Sequence, residues 1–300
     1  MSYLGIMIAN NPSTGSFKYF SPWLIGLTVL WIIIYCFAFP QPVELFSKNW
    51  PLILLGVIGA IIGNMTAIGG GIVFIPVLMF VYKLDPVSSL KLAFVTQAVG
   101  MTSGATGWIQ RKEVPLSLLK WTVPSLLIGT FIATFIIHPS PLLVKSLFGP
   151  VSFIVGLLTL ITLNRKGNAD SLPQKAFLPV FLISVLGGII TGWVAIGEGE
   201  IIAAFCMLVY GLNANKSIGM GVVLLAINSI VLALLHAFYF GGVPWDLAIF
   251  TMLGVLWGGR MGPYISQRLS GFNIKRFFGW IALLDGAVIL FQVIRTYLMN

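Results

Sequence analysis

Two carboxylates, Glu198 and Glu200, stand in the run "VAIGEGEII" (residues 194–202), and they are the only charged residues between Lys175 and Lys216. An acidic group in such apolar surroundings is costly to keep, faces a bundle interior or water, and marks an ion or proton path. Two residues apart on a helix, the side chains diverge by about 200°, so they do not share one cavity. Glu198 lies within a glycine-flanked break and is read as a proton-coupling residue, with Glu200 as a second candidate. The structural alternative for both is a carboxylate capping a helix start.

A second stretch, "TAIGGGIVFIP" (residues 66–76), puts Gly69, Gly70 and Gly71 in a row inside apolar sequence. Unwound chain at membrane depth survives only where it lines a cavity or touches protein. Glycine allows a ligand or a neighbouring helix to approach the backbone and accepts positive φ. A helix restarting near Ile72 would offer N–H groups and the positive end of its dipole to an anion. Gly197 and Gly199 flank Glu198 in the same manner. Mid-helix polar residues add donors: Asn64 and Thr66 before the first break, Gln97 in one helix and Asn228 in another. These form the substrate-binding set, the alternative being small-residue packing and interhelical hydrogen bonds.

The elements that position these residues follow from composition. The chain has 300 residues, of which 58% are hydrophobic and 8% charged, with a mean hydropathy of +1.00. A soluble domain carries about 25% charged residues, so this is an all-α polytopic membrane protein. Apolar runs long enough to span lie at about 21–39, 88–109, 115–137, 142–163, 217–240, 244–264 and 276–297. They lack period-2 alternation, which favours helices over an outer-membrane barrel. The run at 21–39 is too long for a signal peptide and no small-residue cleavage site follows it, so it reads as a retained helix. The Lys and Arg residues are scattered through short loops, which argues against nucleic acid as a partner. Cys36 and Cys206 sit in apolar runs, and no metal or cofactor motif is present. No nucleophile elbow, zinc-helix motif or nucleotide loop is found either, so the chain is read as no enzyme.

Segments 51–84 and 177–211 are each interrupted by glycines and align at an offset of 128, Gly69 on Gly197. At the same offset Gly59 meets Gly187, Met79 meets Met207 and Tyr82 meets Tyr210. Asn228 pairs with Gly100, about one turn from Gln97, so the two amides share a face. The domains are therefore read as residues 1–50 (polar segment plus an extra helix), 51–163 (first repeat), 164–176 (cytoplasmic linker) and 177–300 (second repeat). Loop charges set the orientation. If each broken segment crosses an even number of times, Lys18, Arg111, Lys112, Arg165, Lys166, Lys175, Lys216, Arg268, Lys275 and Arg276 lie inside and Lys48, Lys83, Lys91 and Arg295 outside, 10 against 4. A single crossing gives 7 against 7, which the positive-inside bias disfavours. The two repeats are then inverted, each opening with a glycine-broken helical segment, as in secondary transporters. Asp285 and His236 are further titratable residues that could pair or line a second path. Arg260 and Lys120 lie close enough to span ends to snorkel.

The tract Asn64-x-Thr66-Ala67-Ile68-Gly69-Gly70-Gly71-Ile72-Val73-Phe74-Ile75-Pro76, with a weaker Gly-x-Gly copy in the second half, resembles the sulfite exporter TauE/SafE family of membrane permeases over about residues 51–297. The resemblance implies transport of small sulfur-containing anions, such as sulfite or organosulfonates, across a bacterial inner membrane. The chain departs from the family in its second half, where members commonly carry an uncharged glycine copy and this sequence reads "GEGE". The expected function is alternating-access transport of a small anion with protons as the coupling ion. The partners are the anion, the proton and the lipid bilayer, and a homodimer is compatible with the sequence. A carrier or facilitator for another small anion or organic acid is the alternative, and an intramembrane hydrolase using Glu198 and His236 the lesser one.

Overall fold

In the computed structural model the described residues are 22–138, 140–163, 167–268 and, between 276 and 294, all except 277, 278, 281, 285 and 292. Asp285 therefore lies outside them. The chain divides after Pro40 into two units. In the first, α1 (Pro22–Ala38) is a helix of 17 residues without a charge.

The second unit holds α2 (Pro42–Asn49), α3 (Pro51–Thr66), α4 (Gly71–Phe80), α5 (Pro86–Gln110), α6 (Leu116–Phe131), α7 (Pro141–Ile161), α8 (Phe177–Val194), α9 (Glu198–Tyr210), α10 (Ala214–Leu234) and α11 (Trp245–Arg268). Described residues between 276 and 294 are also helical. Proline at the first turn starts α2, α3, α5 and α7, where its missing N–H costs nothing and its φ is already helical. Asp85 caps α5 by accepting from Val87 N and Ser88 N, each at 3.0 Å. Two helices end in π-helical turns, α6 through Ile132–Ile136 and α10 through Leu235–Phe240. No β-strand occurs among the described residues.

Among the described residues, three continuous helical stretches are long and apolar enough to cross a membrane: Leu116–Ile136, Gln174–Val194 and Ala214–Phe240. The second contains α8, which gains length from the 3-10 turn Gln174–Ala176, whereas its sequence counterpart α3 has only 16 residues. Large apolar side chains on these helices, among them Ile128, Leu182 and Leu234, are exposed, as lipid-facing residues must be.

α5 and α10 pack along each other in opposite directions. Lys91 Nζ donates to the carbonyl of Gly241 (2.8 Å), Phe94 stacks on His236 (centroids 5.2 Å apart), Ser229 Oγ donates to Gln97 Oε1 (3.3 Å), and Gly219 abuts Trp108 and the Glu113 carbonyl. Around this pair α3 packs on α11 and α6 on α8. Both contacts depend on glycine. A methyl group at Gly258 would collide with the Val57 carbonyl, and one at Gly129 with the Val185 carbonyl. Val57 and Val185 are 128 positions apart, so equivalent backbone serves both interfaces. The linker closes on the end of α9: Ala169 N donates to Gly211 O and Asn213 N to Ala169 O (both 2.9 Å), while Lys216 pairs with Asp170 at 2.7 Å.

Candidate functional site

The site is built from two helix interruptions of the same shape. α3 stops at Thr66, Ala67 turns left-handed (φ 62), Gly69 follows at φ 93, and α4 starts at Gly71. α8 stops at Val194, Ala195 is left-handed (φ 57), Gly197 follows at φ 98, and α9 starts at Glu198. Each alanine N–H closes a left-handed C-cap, Ala67 N to Gly63 O at 2.9 Å and Ala195 N to Thr191 O at 2.8 Å. A left-handed alanine costs roughly 1–2 kcal/mol, and φ near +95° is open only to glycine. Gly69 and Gly197 are thus required by backbone geometry.

The two interruptions touch. A Cβ on Gly71 would lie 2.5 Å from the Ala195 carbonyl oxygen, and one on the equivalent Gly199 would collide with the carbonyl oxygen of Ala67, which is equivalent to Ala195. Each restarting helix therefore packs its first glycine against the other interruption's capping alanine. Gln97, from α5, joins them: its Nε2 donates to Ala195 O (2.6 Å), and the same amide nitrogen would be 3.0 Å from a Cβ on Gly71. Gly69 faces Leu225 of α10 as well as Gln97.

Glu198 is completely buried in this cluster. Its Oε2 accepts a hydrogen bond from Asn228 Nδ2, and Asn228 Oδ1 accepts one from Thr130 Oγ1 (2.6 Å). Its backbone N–H donates to Thr191 Oγ1 (3.3 Å). Glu198 Oε1 has no partner, and no cation pairs with the carboxyl group among the described residues. Glu200 points elsewhere, as the helical spacing requires, and accepts from Thr159 Oγ1 of α7 at 3.1 Å.

The structure thus brings together Gly69, Gly71, Gln97, Glu198, Gly199 and Asn228. The remaining residues of the sequence-derived set have other surroundings. Asn64 fastens α3 to α5: its Nδ2 donates to Ala60 O (2.8 Å) and Gly100 O (3.2 Å), and its backbone carbonyl accepts from Trp108 Nε1 (2.9 Å). Thr66 serves the local turn, donating to Ile62 O and accepting from Ile68 N. Gly70 faces the ring of Phe74 on its own helix, and Gly197 faces Val151 and Val155 of α7.

Thr130, Thr159, Thr191 and Ser229 complete the polar contacts and were not singled out in the sequence. Only Ser229 carried a signal, its adjacency to Asn228. Arg260 does not snorkel. It is buried and donates to Thr106 Oγ1 (3.0 Å) and Gln110 Oε1 (2.5 Å) of α5, because α5 packs over that part of α11. Lys120 is exposed. No group of three or more potential metal ligands occurs among the described residues.

Residues 52–289 match the family described as Sulfite exporter TauE/SafE. A protein of Bacillus subtilis named probable membrane transporter protein YjnA is 24% identical over 250 residues, covering 78% of this chain and 97% of the relative. Probable membrane transporter protein MJ0441 of Methanocaldococcus jannaschii is 23% identical over 246 residues, 75% of this chain and 88% of the relative. Probable membrane transporter protein YunE of Bacillus subtilis is 22% identical over 280 residues, 80% of this chain and 97% of the relative. No solved structure matches the chain.

Proposed function

Because this multi-pass membrane protein belongs to the sulfite exporter TauE/SafE family, we propose that it is a secondary transporter carrying a small sulfur-containing oxyanion, such as sulfite or an organosulfonate, by alternating access and in exchange with or alongside protons. The observation that carries this reading is Glu198, a buried carboxyl group at one of two touching helix interruptions, held by an amide and balanced by no cation among the described residues.

Two inverted repeats, residues 51–163 and 177–300, underlie the reading. α5 and α10 are counterparts at the 128-residue offset, and they run antiparallel. Equivalent helices pointing in opposite directions are what inverted repeats require. Exchanging the halves turns α3 on α11 into α8 on α6, α4 on α5 into α9 on α10, and α5 on α11 into α10 on α6, all of which are present. The packing pattern survives the exchange, and this supports the repeat assignment.

The halves then divide the chemistry. The first turn of α4 holds no acidic residue, so its backbone amides and dipole favour an anion. The first turn of α9 holds Glu198 and Glu200. An anion reaching α4 enters the buried pair of touching interruptions that also carries the Glu198 carboxyl group, where water screens poorly. Proton uptake by Glu198 removes the repulsion, which links proton and anion binding reciprocally. Gly71 and Gly199 let the interruptions close on one another in one state, and parting them admits the anion to Gln97 and Asn228.

The test is flux of radiolabelled sulfite, sulfate and taurine in sealed proteoliposomes with and without a pH gradient. Saturable flux of a sulfur oxyanion that responds to the gradient supports the reading. Flux of none, from folded protein, contradicts it.

A further inference from the structure

A cleft of about 610 Å³ opens between the beginnings of α6 and α8, within the roughly 300–1,000 Å³ of small-molecule sites. It is far along α6 from the Thr130–Asn228–Glu198 chain, since Ser117 and Leu118 line it near the helix start while Thr130 sits near the helix end. Its floor is apolar, made by Leu118 and Val180, with the rings of Trp121 and Phe177 meeting edge to face at 4.7 Å. Its rim offers the Ser117 hydroxyl and the Gln174 amide.

Position decides what can fill it. Leu116–Ile136 and Gln174–Val194 are both long and apolar enough to span a membrane, and the cleft is lined by their first two turns. It therefore lies at the level of lipid headgroups, the depth where tryptophan collects. Leu116, Trp121, Leu178 and Leu182 are each more than half exposed, so this flank faces acyl chains. Charge is one-sided: the lining contains no carboxylate, while two exposed lysines outside it, Lys120 and Lys175, are next in the chain to the lining residues Trp121 and Gln174. The nearby Asp170 is already engaged by Lys216.

We infer that this cleft binds one anionic phospholipid, its acyl chain on Leu118, Val180, Trp121 and Phe177 and its phosphate between Lys120, Lys175, Ser117 and Gln174. A zwitterionic lipid can use the same floor, but its own ammonium would face the two lysines. The inference rests on the membrane location and not on the transport reading, so either can fail alone.

The full chain, purified and reconstituted in nanodiscs with equal phosphatidylglycerol and phosphatidylcholine, is analysed by native mass spectrometry. One retained phosphatidylglycerol is expected, with retention lowered about tenfold or more in Lys120→Gln/Lys175→Gln and in Ser117→Trp, which blocks the exposed mouth. Brominated phosphatidylglycerol should quench the wild type more than Trp121→Phe. Equal retention of phosphatidylcholine, or unchanged phosphatidylglycerol in both variants with equal quenching, overturns the inference.

Discussion

Gly71 abuts the carbonyl oxygen of Ala195, 124 positions along the chain, and Gly199 abuts that of Ala67 in the mirrored contact. The two helix interruptions are thus each other's packing surface, backbone against backbone, with the Ile196 and Gln97 side chains beside the Gly71 contact. Any group larger than hydrogen at either glycine must push the interruptions apart.

Gly71→Ala and Gly199→Ala should therefore each cost about 1–3 kcal/mol from overpacking and reduce flux strongly. Gly70→Ala should do less, because its added methyl meets the ring of Phe74 on the same helix, which can turn aside. Thermal melts and liposome flux of the three variants check this ordering. Equal behaviour of all three would remove the contact from the account.

The hydrogen-bonded chain Thr130–Asn228–Glu198 predicts coupling between its ends. Asn228→Leu should cost about 1–3 kcal/mol by leaving the buried Glu198 Oε2 without its donor and Thr130 Oγ1 without that acceptor. Much less should be lost when position 198 is already leucine. A double-mutant cycle on Asn228→Leu and Glu198→Leu should show an interaction energy of about 1 kcal/mol or more. Additive effects would mean that the bond contributes nothing.

His236 is buried with both ring nitrogens lacking partners, between Phe94 and Phe240 (centroids 5.2 and 5.1 Å). Burying polar atoms without partners is unfavourable, and an apolar group of similar shape removes the penalty. His236→Phe should leave the melting temperature unchanged or raise it by a few degrees. A marked fall would show that the imidazole is satisfied in a way the packing does not reveal.

Orientation can be read from thiol labelling. With Cys36 and Cys206 replaced by serine, single cysteines placed at 112, 168 and 270 should react with an impermeant reagent only when the cytoplasmic face is open. Labelling of 270 alone from outside intact cells would contradict the inverted arrangement, because it places the end of α11 opposite the linker.

Much of this architecture is legible in the residues themselves. The apolar run at 115–137 corresponds to the helical stretch Leu116–Ile136, and the 128-residue offset carries Ala67 and Gly69 onto Ala195 and Gly197, which share their backbone angles. A φ near +95° demands glycine, as at Gly69 and Gly197, so the interruptions leave a mark in the sequence. The polar partners leave none. Thr130 and Thr159 also hydrogen bond to carbonyls four residues earlier on their own helices, as hydroxyls in apolar helices commonly do, so nothing in their spacing points to Asn228 or Glu200. Asn64 reads as a ligand donor, but packing of α3 against α5 directs its amide to Gly100. The short α2 is likewise unmarked, since its eight residues are too few for a clear apolar period.

The central claim is that Glu198 couples proton and anion movement. Glu198→Gln keeps an oxygen able to accept from Asn228 Nδ2, so the local bonding persists, while the residue can no longer take up and release a proton. The deciding measurement is radiolabelled anion flux in proteoliposomes as a function of pH, comparing gradient-driven uptake with anion exchange. The account predicts that Glu198→Gln loses gradient-driven uptake by about tenfold or more and flattens the pH profile while preserving exchange. Full gradient-driven uptake with an unchanged pH profile would contradict it and leave Glu198 as a structural cap of α9.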